Sequence, residues 1–286
     1  MSIRNNEDRV TQSDPPPIEN LSPPADEAPR SSNPLSFATP TEFVELPSKG
    51  RFYSKGHPLH GEETIEIRFM TAKEEDILTS RTLLKKGIAI DRLLQSVILD
   101  KRIQVDDLLI GDKNAIIVAT RITGYGAEYE TSVVCPACSE YVSYEFDLGE
   151  ATINCGGDAD GVRETEDGIF AIALEKLGVD VEVKLLTGRD EKELAFAANK
   201  RKKHKMEETN LTDQFRQFIV SVNGSDDGEL VKALIDNMPA SDSRKLRNTY
   251  QKIVPNIDLT QDFTCDNCGL EQALEVPFTA DFFWVK

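Results

Sequence analysis

Four of the five cysteines fall into two C-x-x-C pairs, Cys135/Cys138 and Cys265/Cys268, with the second pair set 130 residues after the first. Alternating apolar and polar residues flank each pair. Thr131-Ser132-Val133-Val134 precedes the first, and Val142, Tyr144, Phe146 and Leu148 alternate after it. Phe263-Thr264 precedes the second, and Leu270, Leu274, Val276 and Phe278 follow. Period-two alternation on both sides of a short turn predicts a β-hairpin with the cysteines at its tip. A C-x-x-C turn between strands is a zinc knuckle, which aims two thiolates at one point about 2.3 Å away. Gly269, directly after Cys268, supplies a positive φ that such a turn needs.

One knuckle supplies two ligands, and a structural zinc ion takes four. The 126 residues between Cys138 and Cys265 exceed the spacing of a simple zinc ribbon. The expected site is therefore a shared one, in which Cys135, Cys138, Cys265 and Cys268 hold a single Zn2+. A redox pair would sit at a helix N-terminus rather than between strands. Two disulfides or an iron–sulfur cluster remain as other uses of the same four thiols. Cys155 has no near partner in sequence and reads as a loop thiol.

The spacing of 130 recurs elsewhere. Asp112 and Asp242, Ile116 and Leu246, and Leu148 and Phe278 share it. Thr71-Ala72-Lys73-Glu74 and Thr187-Gly188-Arg189-Asp190 share an offset of 116, and both read as capping boxes at a helix start. The implied organisation is a duplication, with copies at about Thr41–Gly149 and Gly168–Ala280. Each copy opens on short strands, Glu42–Leu46 and Thr64–Phe69 in the first, Phe170–Leu174 and Val181–Leu185 in the second. A helical middle follows. Leu93, Leu94, Val97 and Ile98 form a core stripe in the first copy, and Leu194, Phe196 and Ala197, then Phe215, Phe218, Ile219 and Val222 in the second. The expected fold class is α+β: two duplicated lobes at 41–150 and 168–286, each ending in a knuckle hairpin, joined by a Gly-rich acidic linker at 151–167. Residues 1–40 hold eight of the fourteen prolines and one aromatic, so they read as a disordered tail, either solvated or a docking arm.

Acidic residues outnumber basic ones 50 to 33, a net charge of −17 that repels phosphate backbones and anionic lipid. Nucleic acid and membranes are therefore not expected partners. No run approaches the ~20 apolar residues of a spanning helix, and the first ten residues lack a signal's apolar core. The only basic cluster, Lys200–Lys205, reads as a solvated helix end or a dock for an acidic partner. Catalytic signatures are missing: there is no G-x-S-x-G, no P-loop and no H-E-x-x-H, and His57, His60 and His204 lack a carboxylate arrangement. Asn223–Gly228 opens like a calcium loop but would place Leu234 where a glutamate is required. No catalytic residue is assigned and no enzymatic activity is expected.

Several segments together resemble a known family: Phe43–Tyr53, Met70–Thr79, Ile90–Leu94, Gly111–Ile116, Arg121–Gly126 and Pro277–Trp284. They are similar to the baseplate hub proteins of T4-like contractile-tailed bacteriophages. The resemblance implies a structural or assembly role among other hub proteins, in the virion baseplate or in the host cytoplasm during assembly. A transient chaperone absent from the mature virion is the alternative, and a zinc-ribbon binder of nucleic acid a more distant one. The aromatic end, Phe282, Phe283 and Trp284, is either the last piece of core or an apolar anchor for a neighbouring subunit.

Overall fold

The computed structural model describes residues 39–157, 159–166, 168–204, 209–277 and 280–283. The predicted tail, Phe278 and Trp284 lie outside the described residues, apart from positions 39 and 40 at the tail's end. Elements run β1 (Thr41–Glu45), β2 (Thr64–Arg68), α1 (Ala72–Thr79), α2 (Arg81–Lys86), α3 (Ala89–Val97), α4 (Ile110–Tyr125), β3 (Glu128–Val134), β4 (Tyr141–Asp147), β5 (Thr152–Asn154), β6 (Val162–Glu166), β7 (Ile169–Leu174) and β8 (Val179–Lys184). The chain continues through α5 (Gly188–His204), α6 (Asn210–Phe218), β9 (Ile219–Val222), α7 (Gly228–Asn237), α8 (Ala240–Ile253), β10 (Asn256–Asp258), β11 (Thr260–Thr264) and β12 (Glu271–Glu275). The fold is α+β, with several small antiparallel sheets rather than one large one.

β1 pairs with β2, β3 with β4, β11 with β12 and β5 with β10, while β6, β7, β8 and β9 form a four-stranded sheet in that order. The segment 151–167, expected as a linker, thus supplies two strands. β5 reaches forward to pair with β10, and β6 adds to the edge of β7. Its polar, Gly-rich composition hid them, because short edge strands need few apolar residues. Ile98, just past α3, bridges to Ile67 of β2, and Ile219, just past α6, pairs with Val183 of β8.

The helix starts follow their caps. Glu74 reaches back to the Thr71 N–H at 3.0 Å, and Asp190 to the Thr187 N–H at 2.8 Å. Ser80 is extended and separates α1 from α2, although Ile77, Leu78, Leu83 and Leu84 are spaced as in one helix. The Thr79 hydroxyl hydrogen-bonds back to the Glu75 carbonyl at 2.9 Å, the local competition that weakens a helix at such residues. Gly87 ends α2 in the left-handed conformation, as a C-terminal glycine should.

Two cores form among the described residues, and each draws on both halves of the chain. The first joins Val44, Leu46, Ile67, Leu94, Ile98 and Ile116 to Phe170, Ile172, Val183, Phe218, Leu246 and Ile253. The second joins Leu93, Val97, Val118, Tyr129 and Phe146 to Leu259, Phe263, Phe282 and Phe283. α3 and α4 are the wall between them: Leu94 and Ile116 face one core, Leu93, Val97 and Val118 the other. Gly111 makes the closest approach, since a Cβ there would stand 1.9 Å from the Pro255 carbonyl oxygen. The start of α4 therefore lies directly on the chain leaving α8.

The expected stripe Leu194, Phe196 and Ala197 does not form core. Within α5 only Gly188 and Asp190 are buried, and the Phe196 side chain is 73% exposed. Leu194 and Ala197 are half-buried, and Phe196 stands clear of them on the open side of the helix.

Candidate metal centre

The knuckles are built by matching backbone turns. Cys135 N–H donates to the Glu140 carbonyl at 2.9 Å and Ser139 N–H to the Cys135 carbonyl at 2.8 Å. Cys265 N–H donates to the Leu270 carbonyl at 2.9 Å and Gly269 N–H to the Cys265 carbonyl at 2.8 Å. Ser139 and Gly269 occupy the same position in each turn, with φ of 61° and 71°. The expected positive φ at Gly269 is present, and its counterpart uses a serine at some cost in strain.

The hairpins β3–β4 and β11–β12 lie against each other. Gln261 clasps Asp147, accepting from its N–H at 3.1 Å and donating to its carbonyl at 2.6 Å. Tyr144 donates to the Asp262 carbonyl at 2.8 Å, and its ring meets Phe146 and Phe263 edge-on. Phe146 and Phe263 are fully buried. These contacts bring the two tips together.

All four sulfurs lie within 4.8 Å of one another. Cys135 and Cys268 are 3.7 Å apart, and Cys138 and Cys265 are 3.9 Å apart. A tetrahedron of sulfurs about 2.3 Å from a central ion has edges of about 3.8 Å. Disulfide bonds require about 2.05 Å, and all five cysteines are free. The four-thiol donor set and its spacing thus fit one tetrahedral soft or borderline ion. The first cysteine of each knuckle is buried, Cys138 is half-buried and Cys268 exposed, so the site sits at the molecule's edge. Asn267 Nδ2 donates to Cys138 Sγ at 3.6 Å, an outer contact of the kind that orients a metal's ligands.

Cys135 and Cys268 shift in opposite directions. Backbone N–H groups of Cys138 and Ala137 favour the Cys135 thiolate and hold that group at about 6. At Cys268 the Leu270 N–H also favours the thiolate, but burial and the three neighbouring thiols push the group up to about 12. One negative sulfur therefore makes the next harder to ionise, the behaviour of coupled sites. A cation at the centre would relieve that repulsion and release protons on binding. Cys155 is half-buried and lies outside this cluster.

A family model described as T4 bacteriophage base plate protein matches residues 39–284. The chain belongs to this family. No curated protein and no solved structure is significantly similar to it. The matched span contains both knuckles and both cores. Membership supports a structural or assembly role in a phage baseplate, among other baseplate proteins. No helix among the described residues is long and apolar enough to cross a membrane.

Other residues singled out in the sequence fall into structural roles. Phe282 and Phe283 are buried, with Phe282 edge-on to Tyr129. Their rings are core, and serving as an anchor for a neighbour would require leaving it. Trp284 lies outside the described residues. Arg121, assigned no role of its own from the sequence, ties that end down: it is buried and donates to the carbonyls of Phe282, Gly126 and Glu128 at 2.9, 2.7 and 3.1 Å. His57 stacks on Tyr53, and His60 Nδ1 lies 2.6 Å from the Tyr53 carbonyl.

Proposed function

We propose that the chain is a structural part of a contractile-tail baseplate hub, with one Zn2+ held by Cys135, Cys138, Cys265 and Cys268 and no catalysis of its own. The convergence of four sulfurs from two distant hairpins carries this reading. At roughly 10–16 kcal/mol for thiolate sites in small zinc peptides near neutral pH, such an ion outweighs the few hydrogen bonds between the tips. Two facing hairpins are thereby fixed as one rigid edge that a neighbouring hub protein can register against. A multi-iron cluster would place several atoms between the sulfurs and hold them farther apart.

The same reading includes the duplication. It is supported by repeated hydrogen bonding at matched positions. Glu74 holds Arg68, Thr71 and Ser96, while Asp190 holds Lys184, Thr187 and Gln217. Asp112 accepts from the Ser48 N–H, and Asp242 from the Lys176 and Leu177 N–H groups.

Elemental analysis of the purified full chain should give one zinc per chain and no visible iron–sulfur absorption. Cys135→Ser and Cys265→Ser should each bring zinc close to zero. Full stoichiometric zinc in either variant would sink the shared site. Mass spectrometry of purified particles tests the hub role, since absence of the chain from the virion would favour the transient chaperone.

A further inference from the structure

We infer that the C-terminal half of α5 is a docking surface for an acidic, extended protein segment of a neighbouring chain. α5 is about 25 Å long at 1.5 Å per residue, and its first turns are secured to the body by several ion pairs. Arg189 pairs with Asp107 at 2.6 Å, Lys192 with Asp91 at 2.9 Å and also with Asp106, and Asp190 accepts from Lys184 at 2.6 Å. Farther on, Arg201 is held by Asp213. Ala197 is half-buried, and most of the rest of that half is open. Ala195, Phe196, Ala198, Asn199, Lys200, Lys202 and Lys203 are all exposed. Lys200, Lys202 and Lys203 make no ion pair among the described residues, although the chain carries a net charge of −17.

Helical spacing turns this into a pattern. Phe196, Lys200 and Lys203 stand at i, i+4 and i+7, along one face. Cations in a last turn are ordinary, because they complement the helix dipole. That explanation does not reach Phe196, which sits two turns earlier and is 73% exposed. An aromatic ring beside ammonium groups without an ion pair among the described residues matches a segment that brings one apolar side chain and several carboxylates. Charge complementarity decides the partner's class. A long phosphate polymer would run past the helix onto an acidic body that repels it, whereas a short acidic peptide fits within the patch. An extended segment also needs no matching groove. The inference rests on the baseplate reading only in expecting a protein partner, and it makes no use of the cysteine site.

The test uses the full zinc-loaded chain and fluorescence anisotropy of a labelled twelve-residue peptide of Asp and Glu carrying two Phe. A DNA duplex of similar length is run beside it. Saturable peptide binding that weakens from about 50 to 300 mM salt is expected. Lys200→Glu with Lys203→Glu should weaken it at least about tenfold. Phe196→Ala should weaken it less, by about the same factor as replacing the peptide's Phe by Ala. Zinc content and thermal midpoint are measured on each variant and should not move, so failure here is distinct from failure of the clamp. No peptide binding, or equal binding by all variants, overturns the proposal. So does DNA that binds more tightly than the peptide and is lost with the same lysines. Self-association of the wild-type chain that the lysine variants abolish would name a second copy as the occupant and overturn it equally.

Discussion

Glu74 shows how much one side chain can organise. Its carboxylate is fully buried, yet it accepts from both Arg68 terminal nitrogens at 3.0 and 2.6 Å, from Ser96 at 2.7 Å and from the Thr71 N–H at 3.0 Å. Burial alone would raise its pKa, but Arg68, Thr71 and Ser96 outweigh it and hold the group at about 2. A carboxylate depressed in the folded state adds stability above its unfolded value of 4.5, and that stability is lost as pH falls toward 2. Glu74→Gln should therefore destabilise the chain by about 2–4 kcal/mol at neutral pH. It should also flatten the acid limb of the stability curve between these two values, as read by urea unfolding at several pH values. Asp112 behaves oppositely: burial raises its pKa against the donors of Ser48 and Tyr53, so its ionised form is a cost borne by the fold.

Among the elements, exposure sorts the aromatic residues cleanly. Phe146 on β4 is fully buried in the second core, and Phe196 on α5 stands in solvent. Phe146→Ala should cost about 3–5 kcal/mol, while Phe196→Ala should change stability by less than about 0.5 kcal/mol. Equal losses by thermal unfolding would contradict the placement of α5. The hairpins also hold each other directly, through Gln261 and Asp147. Replacing Gln261 with alanine removes both bonds to Asp147 and should raise amide exchange in β4 and β11 by several-fold, leaving β7 and β8 unchanged. Local periodicity revealed both hairpins and most helices because their apolar faces repeat at two or at 3.6 residues. It did not reveal β5 or β6, which are edge strands and carry no apolar alternation.

For the whole molecule, the shared cores change what the lobes mean. Residues 41–150 and 168–286, expected from the sequence as two lobes, do not keep separate cores: each core takes residues from both spans. Expressed apart, each piece should lack a cooperative thermal transition, and mixing the two should restore one. Independent sharp transitions would show that the halves fold alone. A chelator that strips the proposed zinc should lower the full chain's midpoint by about 10 °C if the site contributes several kcal/mol. Hydrogen exchange should then rise first at the knuckles and last in β7 and β8, since the first core does not touch the site.

The amino-acid sequence by itself determined the two cysteine turns, the capped helix starts and the core stripe Leu93, Leu94, Val97 and Ile98, all of which are buried. Those features are written in neighbouring residues, through spacing and turn chemistry. Only the tertiary structure decided that the sulfurs meet, that both halves fill both cores, that Arg121 ties down the chain end and that the Phe196 face of α5 stays open. An apolar stripe states that a face is to be covered, but not by what. That answer depends on packing between residues more than a hundred positions apart, where local pattern carries no information.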